Sequence, residues 1–368
     1  MLLDFMATGK QVIRAVPSAP ARRPLVSVMI PAYNYARYLR ECVDSALSQR
    51  DVDVEVIVVD DGSTDDTPRV AAALAAADVR VVVVRNEPNR GHIPSVNIGF
   101  ARCSGEYIVK LDADDVLAPG ALARATALLE AHPGVTFVYG RPDNFEGALP
   151  PAADKPATSW SIWQGRAWVQ RRCQTVTNVI SQPEVVMRAS AVREAGPVRE
   201  ELPHTSDLHT WLKLASLGSV GRVNGPVAGL YRVHDQSMQR TVHSGRMLSF
   251  TARRDAFDAA FAGVAGSLPD ADALHDTARR GLAAAALDQA CRAFDRGRTA
   301  DEPVQELIDF ALETWPAATT LPAWSGLERR RALGATRVAR HPRYISSAVR
   351  RRASEEVRRW LWLRTGEW

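Results

Sequence analysis

The chain has 368 residues, of which 46% are hydrophobic and 24% charged, ordinary globular proportions that exclude a mostly disordered protein. Its net charge is only +4, and all but four of its 46 basic residues are arginine, the lysines being Lys10, Lys110, Lys155 and Lys213. An arginine and alanine bias of this kind follows from GC-rich coding, as in many bacteria, and with so small a net charge it does not point to nucleic acid as a partner.

Cys42, Cys103, Cys173 and Cys291 lie far apart with no CxxC pair, so neither a zinc site nor a disulfide framework is expected. Reduced thiols in a cytoplasmic protein are the expectation. The opening MLLDFMATGKQVIRAV is broken by Asp4, Lys10 and Arg14 and lacks the apolar core of a signal peptide. No apolar run reaches the length of about 18 residues that a membrane span needs.

Residues 1–24 read as an extension ending in the proline-rich connector PSAPARRP, and the main domain is expected over residues 25–240. Its first strand is Val26 to Pro31. A helical pattern over Ala36 to Gln49 follows, then a β-branched run from Val54 to Val59, a helix near Thr67 to Ala77 and a valine run from Val79 to Val84. A helix around Ile93 to Cys103 leads to a strand from Tyr107 to Leu111, a helix from Pro119 to Ala131 and a strand from Val135 to Tyr139. Strands that are apolar without clean alternation belong in a parallel sheet covered on both faces, so the fold class is a doubly wound, mostly parallel, Rossmann-like α/β sheet.

From Gly140 to Arg172 the pattern loosens into a stretch bearing Pro and Trp, read as loops over the sheet's carboxyl edge. A short strand at Glu184 to Arg188, helices at Ser190 to Ala195 and Ser206 to Leu217, and strands near Val220 and from Val227 to Tyr231 complete the domain. From about Ser244 the pattern is helical only, so residues 241–368 form a C-terminal helical extension.

Ligands of an open α/β sheet collect where the strands end on the carboxyl side. Three polar tips lie there: Pro31-Ala32-Tyr33-Asn34, Asp60-Asp61-Gly62-Ser63-Thr64-Asp65 and Asp112-Ala113-Asp114-Asp115. The second tip is equally a turn and helix cap, because Asp, Ser and Thr satisfy orphan helix amides. The third resists that reading, since capping needs one acid and clustered carboxylates are costly without a partner. With Asp115 taken as the cap of the next helix, Asp112 and Asp114 remain for function. Hard oxygen ligands suit Mn²⁺ or Mg²⁺, which would neutralise a diphosphate leaving group.

The segments VSVMIPAYNYARYLRECVDSAL, VEVIVVDDGSTDDT and NRGHIPSVNIGFARCSGEYIVKLDADD, in this order and spacing, resemble the catalytic domain of the family 2 glycosyltransferases, which have the GT-A fold. The resemblance runs from about Leu25 to His234. It implies a nucleotide-sugar donor, usually a UDP-sugar, inversion at the anomeric carbon, and a sugar, lipid, natural-product or peptide acceptor. By position it implies that Pro31, Tyr33 and the acid Asp60 or Asp61 line the nucleobase and ribose pocket, with Arg90 near base and phosphates. The LDADD run stands at the family's DxD motif, so Asp112, with Ala113 beside it, meets the ribose or metal, and Asp114 ligates the metal.

HTSDLHTWL resembles the family's acidic residue at the head of a helix beneath the acceptor, which makes Asp207 the candidate general base; Ser206 departs from the usual neighbour there. As a bare residue Asp207 equally suits a helix N-terminus. Tyr231-Arg232-Val233-His234 resembles the segment that ends the family's domain, with Arg232 facing the phosphates and His234 approaching the metal. His204 and His209 flank the proposed base and lie in reach of acceptor.

The tail from Arg329 holds Arg350-Arg351-Arg352, Arg358-Arg359 and Trp360-Leu361-Trp362-Leu363. Such a helix suits an anionic membrane surface, but Glu355 and Glu356 dilute its charge, so a packing helix with a solvated arginine face, or a homodimer contact, is the favoured reading. Two rivals to the enzyme reading remain. A sugar nucleotidyltransferase wants a basic, glycine-rich loop after the first strand, where PAYNYARYL stands, and a non-catalytic sugar-nucleotide scaffold has no need of Asp112, Asp114 and Asp207 together. A dinucleotide-dependent dehydrogenase is excluded because no GxGxxG follows that strand.

Overall fold

The computed structural model describes residues 9–14, 16–151, 153–235 and 246–366. The boundary at residue 240 and the helical onset near Ser244 lie outside the described residues. The chain divides into two compact units, one of Met1–Trp168, Val179–Ser237 and Arg364–Gly366, the other of Val169–Asn178, Met238–Leu363 and Glu367–Trp368.

The first unit is built on one sheet. Its strands are β1 (Lys10–Arg14), β2 (Leu25–Ala32), β3 (Asp53–Asp60), β4 (Val81–Arg85), β5 (Tyr107–Lys110), β6 (Val116–Leu117), β7 (Val135–Phe145), β8 (Ser159–Trp163), β9 (Val185–Arg188) and β10 (Ser219–Arg232). The order across the sheet is β1-β8-β10-β7-β9-β5-β2-β3-β4, with β6 on β10. β1, β2, β3, β4, β5, β7 and β10 run one way, and β6, β8 and β9 run against them. The helices along these stretches of chain are α1 (Ala36–Leu47), α2 (Thr67–Ala77), α3 (His92–Arg102), α4 (Ala121–Ala131), α5 (Gly165–Thr175), whose residues from Val169 on are counted with the second unit, α6 (Ala189–Ala195) and α7 (Ser206–Leu217).

The covering of both sheet faces is visible in β2, where successive side chains point to opposite sides. Val26, Val28 and Ile30 join one core with Leu39, Cys42 and Val43 of α1. Met29, between them, faces the other way against α3, where a Cβ on Gly99 would stand 2.1 Å from its Cγ. All four β2 residues are fully buried, each contributing about 1.5–3 kcal/mol of transfer free energy. The rigid result is a row of strand ends at Ala32, Asp60 and Lys110, from which the polar tips project.

Three features differ from the sequence expectation. Lys10–Arg14, ahead of Leu25, pairs antiparallel with Ser159–Trp163, which lies in the stretch read as loops. Neither five-residue segment is apolar enough to signal a strand alone; each is fixed by its partner, with Trp163 stacked on Tyr139 at 6.0 Å between ring centroids. The two expected strands around Val220 and Val227 are one strand, β10, with register irregularities between Arg222 and Val227, where Gly225 takes φ +107° just ahead of Pro226.

The second unit is helical: α8 (Arg246–Phe261), α9 (Ala271–Asp295), α10 (Val304–Thr314), α11 (Pro322–Leu333), α12 (Ala335–Arg340) and α13 (Pro342–Thr365). Leu274, Ala278, Leu282, Ala286 and Ala290 give α9 a buried stripe at helical spacing. Among the described residues no helix is long and apolar enough to cross a membrane.

Candidate active site

The tip after β3 is largely consumed in bracing the turn after β2. Asn34 takes a left-handed φ of +61°; its Oδ1 accepts from the N–H groups of Thr64 at 2.8 Å and Asp65 at 3.3 Å. In return Asn34 N–H donates to Ser63 Oγ at 3.0 Å and Tyr35 N–H to Thr67 Oγ1 at 2.9 Å. Pro31 is buried at the strand end and Tyr33 stands exposed beside it.

The two acids of this tip have separate tasks. Asp61 Oδ1 accepts from Arg90 N–H at 2.9 Å and the Asn86 amide at 2.9 Å, and Oδ2 accepts from Gly91 N–H at 2.8 Å. Burial alone would raise the Asp61 carboxyl, but these bonds, the one from Arg90 foremost, hold it below its ordinary range. Asp61 therefore fixes the segment that carries the exposed Arg90. Asp60 accepts from Ser63 N–H at 3.1 Å through Oδ1, while Oδ2 is buried without a hydrogen bond, 3.5 Å from Arg85 Nε. Of the two, Asp60 is the one with an oxygen outside any hydrogen bond, faced by Arg85.

In the LDADD run each carboxylate has its own partner. Lys110 Nζ holds Asp112 Oδ1 at 2.6 Å, Asp114 Oδ2 meets His234 Nε2 at 2.8 Å, and Asp115 Oδ1 accepts from Arg232 N–H at 3.0 Å. Burial would raise Asp112, yet Lys110 and His92 hold it below the usual carboxylate range. Burial, then the charge of Asp112, raises Asp114. Burial, then Asp114 and Asp112, raises Asp115 much further. Ala113 lies buried between them.

Asp115 is not the cap of α4: Gly120 occupies that position, without a side-chain cap. Instead Asp115 ties the run to the end of β10. Arg232, expected to face phosphates, is buried here. Its guanidinium donates to Asp114 O at 2.9 Å and Gly147 O at 2.9 Å and pairs with Glu41, while lying 4.6 Å from the Tyr38 ring and 4.4 Å from that of Phe145. It orients the Asp114 backbone. The Tyr38 ring also packs 5.2 Å from His234.

Asp207 lies in the first turn of α7, where its Oδ1 accepts from Leu208 N–H at 2.7 Å. Burial raises its carboxyl, Lys110 draws it down and Asp112 pushes it up, so Asp207 feels the charges of Lys110 and Asp112. His209 is 1% exposed; burial and Lys213 depress it to about 4, which makes it a neutral core residue. Lys213 Nζ donates to the carbonyls of Ala195, Gly196 and Pro197 at 3.0, 3.1 and 2.9 Å, fastening the end of α6. His204 is half-buried two residues before Ser206.

One residue the sequence reading passed over is Glu184. It is 3% exposed; Oε1 accepts from Ser181 N–H at 2.8 Å and Oε2 is buried with no hydrogen bond. Burial raises it to about 7, and the Asp207 charge adds to that rise. The available signal was a carboxylate directly ahead of an apolar strand, in Gln182-Pro183-Glu184-Val185-Val186.

No group of three or more His, Cys, Asp or Glu poised to hold a metal ion is found among the described residues. What the site offers is the pair Asp114 Oδ2 and His234 Nε2, one hydrogen-bond length apart, beside Asp112, whose charge disfavours ionised Asp114. A cation would relieve that repulsion, and oxygen with one imidazole nitrogen suits Mn²⁺ or Mg²⁺ when phosphate oxygens complete the shell. The residues fit a divalent ion.

The sequence profile of glycosyl transferase family 2 matches residues 27–194. An uncharacterized glycosyltransferase of Haemophilus influenzae is 29% identical over 215 residues, 57% of this chain and 66% of the relative. The chain thus matches just under two thirds of that relative's length. The mannosyltransferase PcManGT of Pyrobaculum calidifontis, solved with GDP-Man and Mn²⁺, superposes with a TM-score of 0.53 at 21% identity over 91% of this chain and 86% of that one. S. aureus TarS 1-349, solved with UDP-GlcNAc, gives 0.57 at 18% identity over 85% and 89%. At such identities the superpositions speak for the fold, which is that of the GT-A glycosyltransferases. Residues 27–194, just under half of the chain, match the glycosyl transferase family 2 profile, and the fold agrees with that likeness.

Proposed function

We propose that the chain is an inverting glycosyltransferase that moves a sugar from a nucleotide-diphosphate donor, a UDP-sugar first, to a hydroxyl or amine of a sugar, lipid, natural-product or peptide acceptor. The observation that carries this reading is the placing of Asp207 within electrostatic reach of Asp112 and Lys110, next to the Asp114–His234 pair at the end of the LDADD run. A base on one side and a diphosphate site on the other is what single displacement at the anomeric carbon requires.

Pro31, Tyr33 and Asp60 would line the nucleobase and ribose pocket, with Asp61 holding the segment of Arg90 toward the phosphates. Asp112, Asp114 and His234 would hold Mn²⁺ or Mg²⁺, which when bound neutralises the developing diphosphate charge. Asp207 takes the acceptor proton as its oxygen or nitrogen bonds to the anomeric carbon and the bond to the diphosphate breaks. The raised carboxyl of Asp207 suits a general base, which works best with a pKa moved toward the operating pH. A cytoplasmic location accords with the use of nucleotide sugars.

The test is a set of UDP-, dTDP- and GDP-sugars incubated with the full chain and Mn²⁺, reading nucleotide release. Slow release that is lost on chelation and in Asp114→Ala supports the proposal. Binding of donor without release for every donor and acceptor tried would favour a sugar-nucleotide scaffold.

A further inference from the structure

The last helix presents to solvent the side that the sequence reading had turned inward. Tyr344 is buried in the second unit, with Arg330 4.4 Å over its ring. On the same side Arg351 pairs with Asp295, which Arg330 also holds at 2.7 Å, and Glu355 pairs with Arg292 at 2.8 Å. These contacts fix which side of α13 faces its own unit.

The opposite side carries an exposed apolar row, with Glu356 standing in it between Ala353 and Trp360. Ile345, Val349 and Val357 are 48%, 64% and 57% exposed; with Ala353 they fall at four-residue spacing, a single stripe along the helix. Trp360 and Leu361, at 54% and 40%, continue it. Arg343 and Arg350 border the stripe on one flank and Arg352 and Arg359 on the other, by the turn of 3.6 residues per helical repeat.

Charge selects the occupant. The two carboxylates of α13 are matched, Glu355 by Arg292 and Glu356 by Arg352 at 4.0 Å. Arg343, Arg350, Arg358 and Arg359 meet no carboxylate within ion-pair distance among the described residues. A second copy of the helix would set arginine flank against arginine flank, and a nucleic acid would leave the apolar stripe in water. An interface with acidic headgroups above and acyl chains below satisfies both features of the helix.

We propose that α13 lies in the plane of an anionic lipid surface, with Ile345, Val349, Val357 and Trp360 entering the acyl boundary and the flanking arginines on the phosphates. The inference is independent of the catalytic reading, because it rests on residues of the helical unit alone.

Flotation of the full chain tests it, with vesicles of equal parts phosphatidylglycerol and phosphatidylcholine against vesicles of phosphatidylcholine alone. The chain should float with the acidic vesicles and stay behind with the neutral ones, and added salt should weaken the association. Val349→Glu with Val357→Glu should lower the partition coefficient by about tenfold or more, with an unchanged circular dichroism spectrum. Failure to bind acidic vesicles, equal binding to both kinds, or full binding by the double variant would overturn the proposal. So would sedimentation velocity showing a dimer in the full chain that the double variant dissolves.

Discussion

Asp112, Asp114 and Asp115 stand within four positions of one another and experience three different environments. Lys110 keeps Asp112 ionised, His234 holds Asp114, and the Arg232 backbone takes Asp115 deeper than either. Glu184 extends this pattern across the site. Its carboxyl near 7 in the folded chain, against an ordinary 4.5, means that the folded state binds the proton more tightly. The contribution of Glu184 to stability is therefore fully present below about pH 4.5 and is lost as pH rises through about 7, by roughly 3 kcal/mol. Glu184→Gln should remove that slope and stabilise the chain at pH 8 by a comparable amount, as read by urea unfolding at several pH values; a slope unchanged in the variant would show that Glu184 is not its source. Asp207 adds a kinetic counterpart. A raised carboxyl keeps a base protonated to higher pH, so kcat should rise with pH through a limb above the range of an exposed aspartate. A rate still flat down to about pH 4 would contradict its role.

At the scale of elements, β2, β3 and β5 were legible because a strand buried on both faces writes an unbroken apolar run, β4 because its valines are β-branched although it is the half-exposed edge strand, and α7 because Leu208, Trp211, Leu212 and Ala215 keep helical spacing. β1 and β8 were not, since KQVIR and SWSIW acquire strand geometry only by pairing across a long stretch of chain. The tips were legible as polar turns, but their division of labour was not: which of Asp60 and Asp61 is spent on backbone amides depends on Asn86, Arg90 and Gly91, and Arg232 is diverted from phosphates by Glu41 and Gly147, neither marked by any motif. Asp61→Ala should loosen the segment that carries Arg90, raising the donor KM by about tenfold while kcat changes little. Equal loss in kcat with KM unchanged would place Asp61 in the transition state instead.

For the whole molecule, the residues assigned to donor, metal and base all belong to the sheet unit, and the exposed apolar stripe belongs to the helical one. UDP with Mn²⁺ should therefore raise the unfolding temperature of the sheet unit, by an amount equivalent to about 2.7 kcal/mol at a hundredfold excess over Kd; no shift in calorimetry would speak against the donor site. The central claim is that Asp207 removes the acceptor proton opposite a nucleotide diphosphate. It is tested most directly by Asp207→Asn, assayed by nucleotide transfer with the donor and acceptor that the wild-type chain turns over. The variant should bind donor with unchanged Kd and lose about 10²- to 10⁴-fold in kcat. Near-full turnover at unchanged donor affinity would contradict the assignment.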